Sequence, residues 1–108
     1  RMRVRDLLRM TTGHEAEPPL FFRARGDTAG GSLVRRFLAY PVADAPGTHF
    51  VYNTPATYML SAAVEKRTGE KLVDYLQPRL FAPLGIERPT WDASADGVTL
   101  GGFGLRAR

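Results

Sequence analysis

"PGTHFVYNTPATYML", Pro46 to Leu60, is the stretch on which the reading of this chain turns. It holds a turn, a polar triplet (Tyr52, Asn53, Thr54) and the start of an apolar periodic run. Pro46 and Gly47 favour a type II turn, because glycine supplies the positive φ that the turn needs. His49 and Val51 then read as a short strand or an extended approach. Thr54 suits the N-cap of a helix, and Pro55 suits its first position, where the missing N–H is not needed. Ala56, Met59, Leu60, Ala63 and Val64 recur at the spacing of one helical face, and Thr57, Ser61, Glu65 and Thr68 line the opposite side. Lys66 and Arg67 fall in the last turn, where cations complement the helix dipole, and Gly69 stops the helix.

Upstream, residues 3 to 12 read as a helix with Val4, Leu7, Leu8 and Thr11 on one face and Gly13 as its left-handed C′ residue. "HEAEPPLFFRARGDTAGG" breaks the pattern with paired prolines and glycines, and Phe21 and Phe22 are expected to pin this connection to a core. Ser32 can cap a second helix with Leu33, Val34, Phe37 and Leu38 on its apolar face, closed by Pro41. Downstream, a fourth helix starts near Lys71 with Leu72, Tyr75 and Leu76 inward, and Pro78 kinks or ends it. "FAPLGI" reads as an apolar segment buried against the helices, and "ERPTWDASADGVTLGGFGL" as loop plus one short strand. Gly101, Gly102 and Gly104 permit close backbone approach, with a plain loop role as the competing reading.

These elements make a mainly α unit with long irregular connections, and such connections are usually functional or packed against something else. The chain has 108 residues, which suits one domain or one part of a larger one. No apolar run reaches the roughly 18 to 20 residues of a membrane span. The net charge of +4 is carried almost wholly by scattered arginines, so no clustered basic face marks a nucleic-acid partner. There are no cysteines, which removes disulfides, thiolate nucleophiles and zinc–thiolate sites. His14 and His49 lie far apart and no H-x-x-x-H spacing links them, so no metal is implied, and both read as surface or second-layer residues. "GGFG" matches no phosphate-binding pattern, so no cofactor is implied. The chain opens without an initiator methionine and closes on a glycine-rich run, and it reads as a segment of a longer protein.

That leaves Tyr52, Asn53 and Thr54 as candidates for chemistry. One reading makes them a core aromatic, a turn residue and a cap. The other makes Tyr52 a general base near the positive end of a helix dipole. A phenol titrates near pH 10, so it also needs a neighbouring cation. Lys66 lies roughly 18 Å along the helix from Thr54 and cannot supply it, and Lys71 lies beyond that.

"PGTHFVYNTPATYMLSAAVEKRTGEKLVDYLQPRLFAPLGI" resembles the serine β-lactamase-like hydrolases: class C β-lactamases, DD-peptidases, penicillin-binding proteins and related esterases. The PGT turn before a Y-x-N-type motif, the helix ending E-x-x-T-G and the F-x-P-L-G-I stretch carry the resemblance. "VRDLLRMTTGH" upstream and "GGFGL" downstream extend it over most of the chain. It implies that residues 1–108 are the mainly helical subdomain of an α+β β-lactamase/transpeptidase-like fold, with the remaining half of the hydrolase domain outside this segment. It further implies a serine in S-x-x-K that is acylated, a tyrosine that manages the serine's proton, and a K-T-G or H-x-G strand that completes the pocket. Tyr52 matches that tyrosine, and Asn53 and Thr54 fall on the substrate-binding side of the motif. The triplet departs from Y-x-N in carrying threonine in the third slot, where a hydroxyl replaces an amide. Lactam, ester and peptide substrates are therefore all open.

The serines are Ser32, Ser61 and Ser94, in S-L-V-R, S-A-A-V and S-A-D-G, and none is S-x-x-K. The nucleophile and closing strand are expected elsewhere, and this segment alone is expected to be inactive. The rival reading is a non-catalytic interaction or substrate-binding module that uses apolar surface. Family members that act on lactams or cell wall lean towards export, while esterases of this type also remain in the cytoplasm, so compartment stays open.

Overall fold

The computed structural model describes residues 1–20 and 32–107. The expected anchors Phe21 and Phe22 lie outside the described residues. The chain divides into two compact units, Arg1–Leu60 and Ser61–Arg108. Its elements in order are α1 (Val4–Leu8), α2 (Leu33–Ala39), α3 (Thr54–Thr68), α4 (Leu72–Leu76), a π-helical turn (Gln77–Phe81), β1 (Thr90–Trp91) and β2 (Leu105–Arg106). The mainly helical expectation holds, and the unit boundary falls inside α3.

In the first unit, Leu7, Leu20, Phe37 and Ala56 form the buried apolar cluster, with Met2, Met10, Leu33, Met59 and Leu60 packed against it. α1 is shorter than its periodicity predicts. It ends at Leu8 in a Schellman motif, with Thr11 N–H donating to the Asp6 carbonyl at 2.8 Å and Met10 N–H to the Leu7 carbonyl at 3.3 Å. The left-handed C′ residue is therefore Met10, at φ +57°, and not Gly13. Val4 and Leu8, expected on the inner face, share a face that is exposed, and Leu7 is the apolar residue that α1 buries.

Gly13 serves a different purpose. Its carbonyl accepts from the N–H groups of Ala43 and Asp44, each at 2.9 Å. At φ +94°, a Cβ here would lie 2.3 Å from the Asp44 carbonyl oxygen and 2.6 Å from Val42 Cγ1. The 10–14 segment receives the returning chain along its length: Gly47 N–H donates to the Thr11 carbonyl at 2.7 Å, and Val51 N–H to the Met10 carbonyl at 2.9 Å. Residues 49–51 are thus an extended approach, and not a strand. The Pro46–Gly47 turn forms as expected, with Gly47 at φ +91° and Thr48 N–H donating to the Ala45 carbonyl at 3.3 Å. Ser32 caps α2 through Oγ, which accepts from Arg35 N–H at 3.3 Å. Phe37 is the buried residue of that helix, and Leu38 is exposed.

The second unit is organised by Glu65. This residue was expected on the polar outer side of α3, yet its carboxylate accepts from Leu72 N–H at 2.8 Å, Thr99 N–H at 3.4 Å and the Thr99 hydroxyl at 2.5 Å. One side chain therefore caps the N-terminus of α4 and holds the segment at Thr99, which bridges to Ala93. An anion at a helix start is favoured by both free N–H groups and the helix dipole. Ser61, also expected outward, is buried, while Ala63, expected inward, is exposed. Gly69 stops α3 at φ +72° as predicted. Pro78 sits at the start of the π-helical turn, where the chain leaves the α pattern because proline has no N–H to continue it. Of "FAPLGI" only Phe81 is buried, and Leu84 is exposed. The downstream stretch forms two short strands where one was expected, pairing antiparallel with Thr90 opposite Arg106 and Trp91 opposite Leu105. Gly104, at φ +81°, lets its backbone pass the Asp92 side chain, which a Cβ would meet at 2.9 Å. Asp92 accepts two hydrogen bonds from the Arg106 guanidinium, at 2.7 and 3.2 Å. Those bonds hold its carboxyl below its ordinary value, against the opposing effect of desolvation.

Gly13→Ala is expected to lower the unfolding free energy by about 2 kcal/mol or more, because strain at positive φ adds to a backbone clash. Gly69→Ala meets no atom within 4 Å. It is expected to cost only about 1 kcal/mol, from the positive φ alone. Urea denaturation of both variants measures the contrast.

Candidate active site

The three residues singled out in the sequence are brought to the start of α3, but they face different ways. Asn53 is 0% exposed, and Tyr52 beside it is 64% exposed. Asn53, and not Thr54, is the N-cap: its Oδ1 accepts from Ala56 N–H at 3.1 Å. Thr54 and Pro55 become the first two helical residues, where proline's missing N–H is still harmless. Both Asn and Thr are good caps, and the buried partners of Asn53 decide between them.

Those partners come from the 10–14 segment. Asn53 Nδ2 donates to Thr12 Oγ1 at 3.1 Å and approaches His14 Nδ1 at 3.3 Å. Thr12 Oγ1 and His14 Nδ1 are themselves 2.7 Å apart. All three side chains are buried. His14 is held edge-on against Phe37, with ring centroids 5.1 Å apart, and against Tyr40 at 5.7 Å. Burial pushes the His14 imidazole below its ordinary value, and the Tyr40 backbone opposes that shift in part. His14 is thus a second-layer residue beneath the triplet, whereas His49 is a surface one, 2.9 Å from the Thr48 hydroxyl.

The expectation that Asn53 contacts a substrate meets a physical obstacle. Its amide is enclosed, with Oδ1 on the helix N-terminus and Nδ2 on Thr12 and His14, so it has no free face to present. Thr54 is half-buried, and its N–H donates to Glu17 Oε1 at 2.6 Å. Its hydroxyl has no hydrogen-bond partner among the described residues. Glu17 escaped the sequence reading, since an acid 37 residues before the helix carries no local signal of its capping role.

Tyr52 stands on a backbone pinned on both sides. Val51 N–H bonds to Met10 before it, and the Asn53 side chain bonds to Thr12 and His14 after it. The result is an exposed phenol on a fixed mount, with no hydrogen bond to its hydroxyl among the described residues. Ser61 is buried, which removes it as an accessible nucleophile. Among the described residues, no group of three or more His, Cys, Asp and Glu side chains comes together to hold a metal. No helix among them is long and apolar enough to cross a membrane.

Comparison with known proteins adds the family. The profile of the family described as Beta-lactamase matches residues 1–100. A lovastatin esterase from Penicillium rubens is 39% identical over 54 residues, 50% of this chain and 13% of the esterase. A D-aminopeptidase from Brucella anthropi is 42% identical over 43 residues, 40% of this chain and 8% of the peptidase. A solved Bacillus anthracis protein assigned as a 6-aminohexanoate-dimer hydrolase shares the fold with a TM-score of 0.75 at 18% identity. That match covers 98% of this chain and 32% of the other. The chain therefore corresponds to a minor part of each of these proteins.

The buried neutral imidazole gives a pH prediction. His14 is favoured neutral in the fold but takes up a proton near pH 6.5 when unfolded. Its contribution to stability is present in full above pH 6.5 and is lost as pH falls below it. Unfolding by urea at pH 7.5 and pH 5.5 is expected to show the lower stability at pH 5.5. His14→Asn, which cannot titrate, is expected to remove most of that difference.

Proposed function

The chain belongs to the beta-lactamase family, and on that premise we propose that it is part of a serine hydrolase working through an acyl-enzyme on a β-lactam, an ester or a D-alanyl peptide. The observation that carries the proposal is Tyr52: an exposed phenol whose backbone is anchored by hydrogen bonds on both sides, those of Asn53 buried. A general base must be presented to the reacting groups and held still, and few phenols in this chain meet both conditions.

In this reading Tyr52 takes the proton of a serine hydroxyl as the serine oxygen bonds to the substrate carbonyl carbon. It returns the proton to the leaving nitrogen or oxygen as that bond breaks, leaving an acyl-serine that water hydrolyses. The Thr54 hydroxyl is the substrate contact at the helix start, and Asn53 supports the site from beneath. The serine with its S-x-x-K lysine and the K-T-G or H-x-G strand come from the rest of the hydrolase domain, with residues 1–108 as the helical part. Names among the relatives include both an esterase and a peptidase, which supports a carbonyl substrate without selecting between ester and amide.

Two outcomes test this. The 108-residue chain alone is expected to take up no stoichiometric label from a fluorophosphonate or penicillin probe, read by intact mass. In the polypeptide that carries this chain together with an S-x-x-K element, Tyr52→Phe is expected to lower kcat/KM by about 10²- to 10⁴-fold. A steady-state assay with p-nitrophenyl esters and nitrocefin measures the loss, and full activity in Tyr52→Phe would remove the general-base assignment.

A further inference from the structure

One arrangement of protons makes every contact of the enclosed triangle under Tyr52 a hydrogen bond. Asn53 Oδ1 accepts from Ala56 N–H, which fixes the amide so that Nδ2 faces Thr12 and His14. Nδ2 can only donate, so both Thr12 Oγ1 and His14 Nδ1 receive from it. The Thr12 hydroxyl directs its own proton at the same Nδ1, 2.7 Å away, whose single lone pair the two donors share, with the shorter contact from Thr12. Nδ1 is left without a proton, and the imidazole carries its hydrogen on Nε2. A proton on Nδ1 would set donor against donor at 3.3 Å from Asn53.

We propose that His14 is a positioning residue for Tyr52: its bare Nδ1 holds the Asn53 amide in register and thereby fixes the backbone that presents the phenol. The inference rests on the reading of Tyr52 as the general base. Thr12 is the second member of the same device, since its hydroxyl receives from Asn53 and donates to His14. The ring's edge-on packing against Phe37 and Tyr40 aims Nδ1 at the helix start. A filler of the same bulk without an acceptor would keep the packing and lose the register.

The test uses the full-length polypeptide that carries this chain. His14→Asn places an amide oxygen near the position of Nδ1, while His14→Phe keeps a ring and has no acceptor. The first variant is expected to retain most of kcat on a p-nitrophenyl ester. The second is expected to lose kcat by about tenfold or more with KM changed by less than about threefold. Nitrogen NMR of the histidine ring at pH 7.5 is expected to show an unprotonated Nδ1 and a protonated Nε2. Equal loss in both variants, or a proton on Nδ1, overturns the proposal. Should His14→Phe not fold, Thr12→Val replaces it, with Thr12→Ser as its conservative partner. A kcat lost in the valine variant and kept in the serine variant supports the proposal, and equal activity in the two overturns it. Tyr52→Phe is measured alongside. Loss there with His14→Phe unchanged sinks the role of His14 alone, while full turnover in Tyr52→Phe sinks the general-base reading whatever the ring tautomer.

Discussion

The side-chain amide of Asn53 is fully buried, and each of its polar atoms needs a partner there. A buried amide left unpaired costs about 1–3 kcal/mol, so the partners are not optional. Oδ1 meets the free N–H at the start of α3, and Nδ2 meets Thr12 and His14. One side chain thereby starts the long helix, ties it to a segment about 40 positions earlier, and fixes the residue just before it, Tyr52. The rest of the first unit supports that arrangement. Met10 ends α1 in a left-handed turn so that Thr12 and His14 can face inward. Gly13 has no side chain, so the Asp44 backbone and the Val42 side chain can lie directly against it. Phe37 and Tyr40 close over the imidazole.

The second unit solves a similar problem with a charge. Glu65 is half-buried on α3, and its carboxylate gathers three donors from α4 and the 99 segment. Hydrogen bonds to an ionised acceptor are stronger than neutral ones, and the helix dipole at Leu72 adds to them. The Asp92–Arg106 pair joins the strand region by two hydrogen bonds, but it stands in solvent, where water and salt screen it. Glu65 is therefore the more important of the two polar contacts for this unit. The exposed pair serves mainly to orient the β1–β2 register.

Much of the site was legible before any coordinates. The polar triplet, the helix that follows it and the turn that precedes it were all read from local chemistry, and Tyr52 is exposed. The identity of the cap was not legible, because Asn53 and Thr54 both carry cap-forming side chains and Pro55 is tolerated at either of the first two helical positions. The roles of Thr12, His14, Glu17 and Glu65 were hidden for a different reason. Each acts on a partner distant in sequence or on a neighbouring element, and neither periodicity nor spacing encodes such a pairing. The outer face assigned to α3 failed for the same cause: hydrophobicity alone marks Glu65 as a solvent residue, while three waiting donors draw it inward.

By itself, the order of residues determined the helices, their stops at Gly69 and Pro41, the Pro46–Gly47 turn, the absence of thiol chemistry and the family resemblance, all of which rest on contacts within a few residues or on short motifs. Only the tertiary structure decided which polar side chains are buried. Burial is set by what the chain brings together from afar, and a buried polar group takes its role from the partner that satisfies it. Asn53 became a cap and a tether because Thr12 and His14 were there to receive its amide. Tyr52, one residue away and with no such partner among the described residues, faces out.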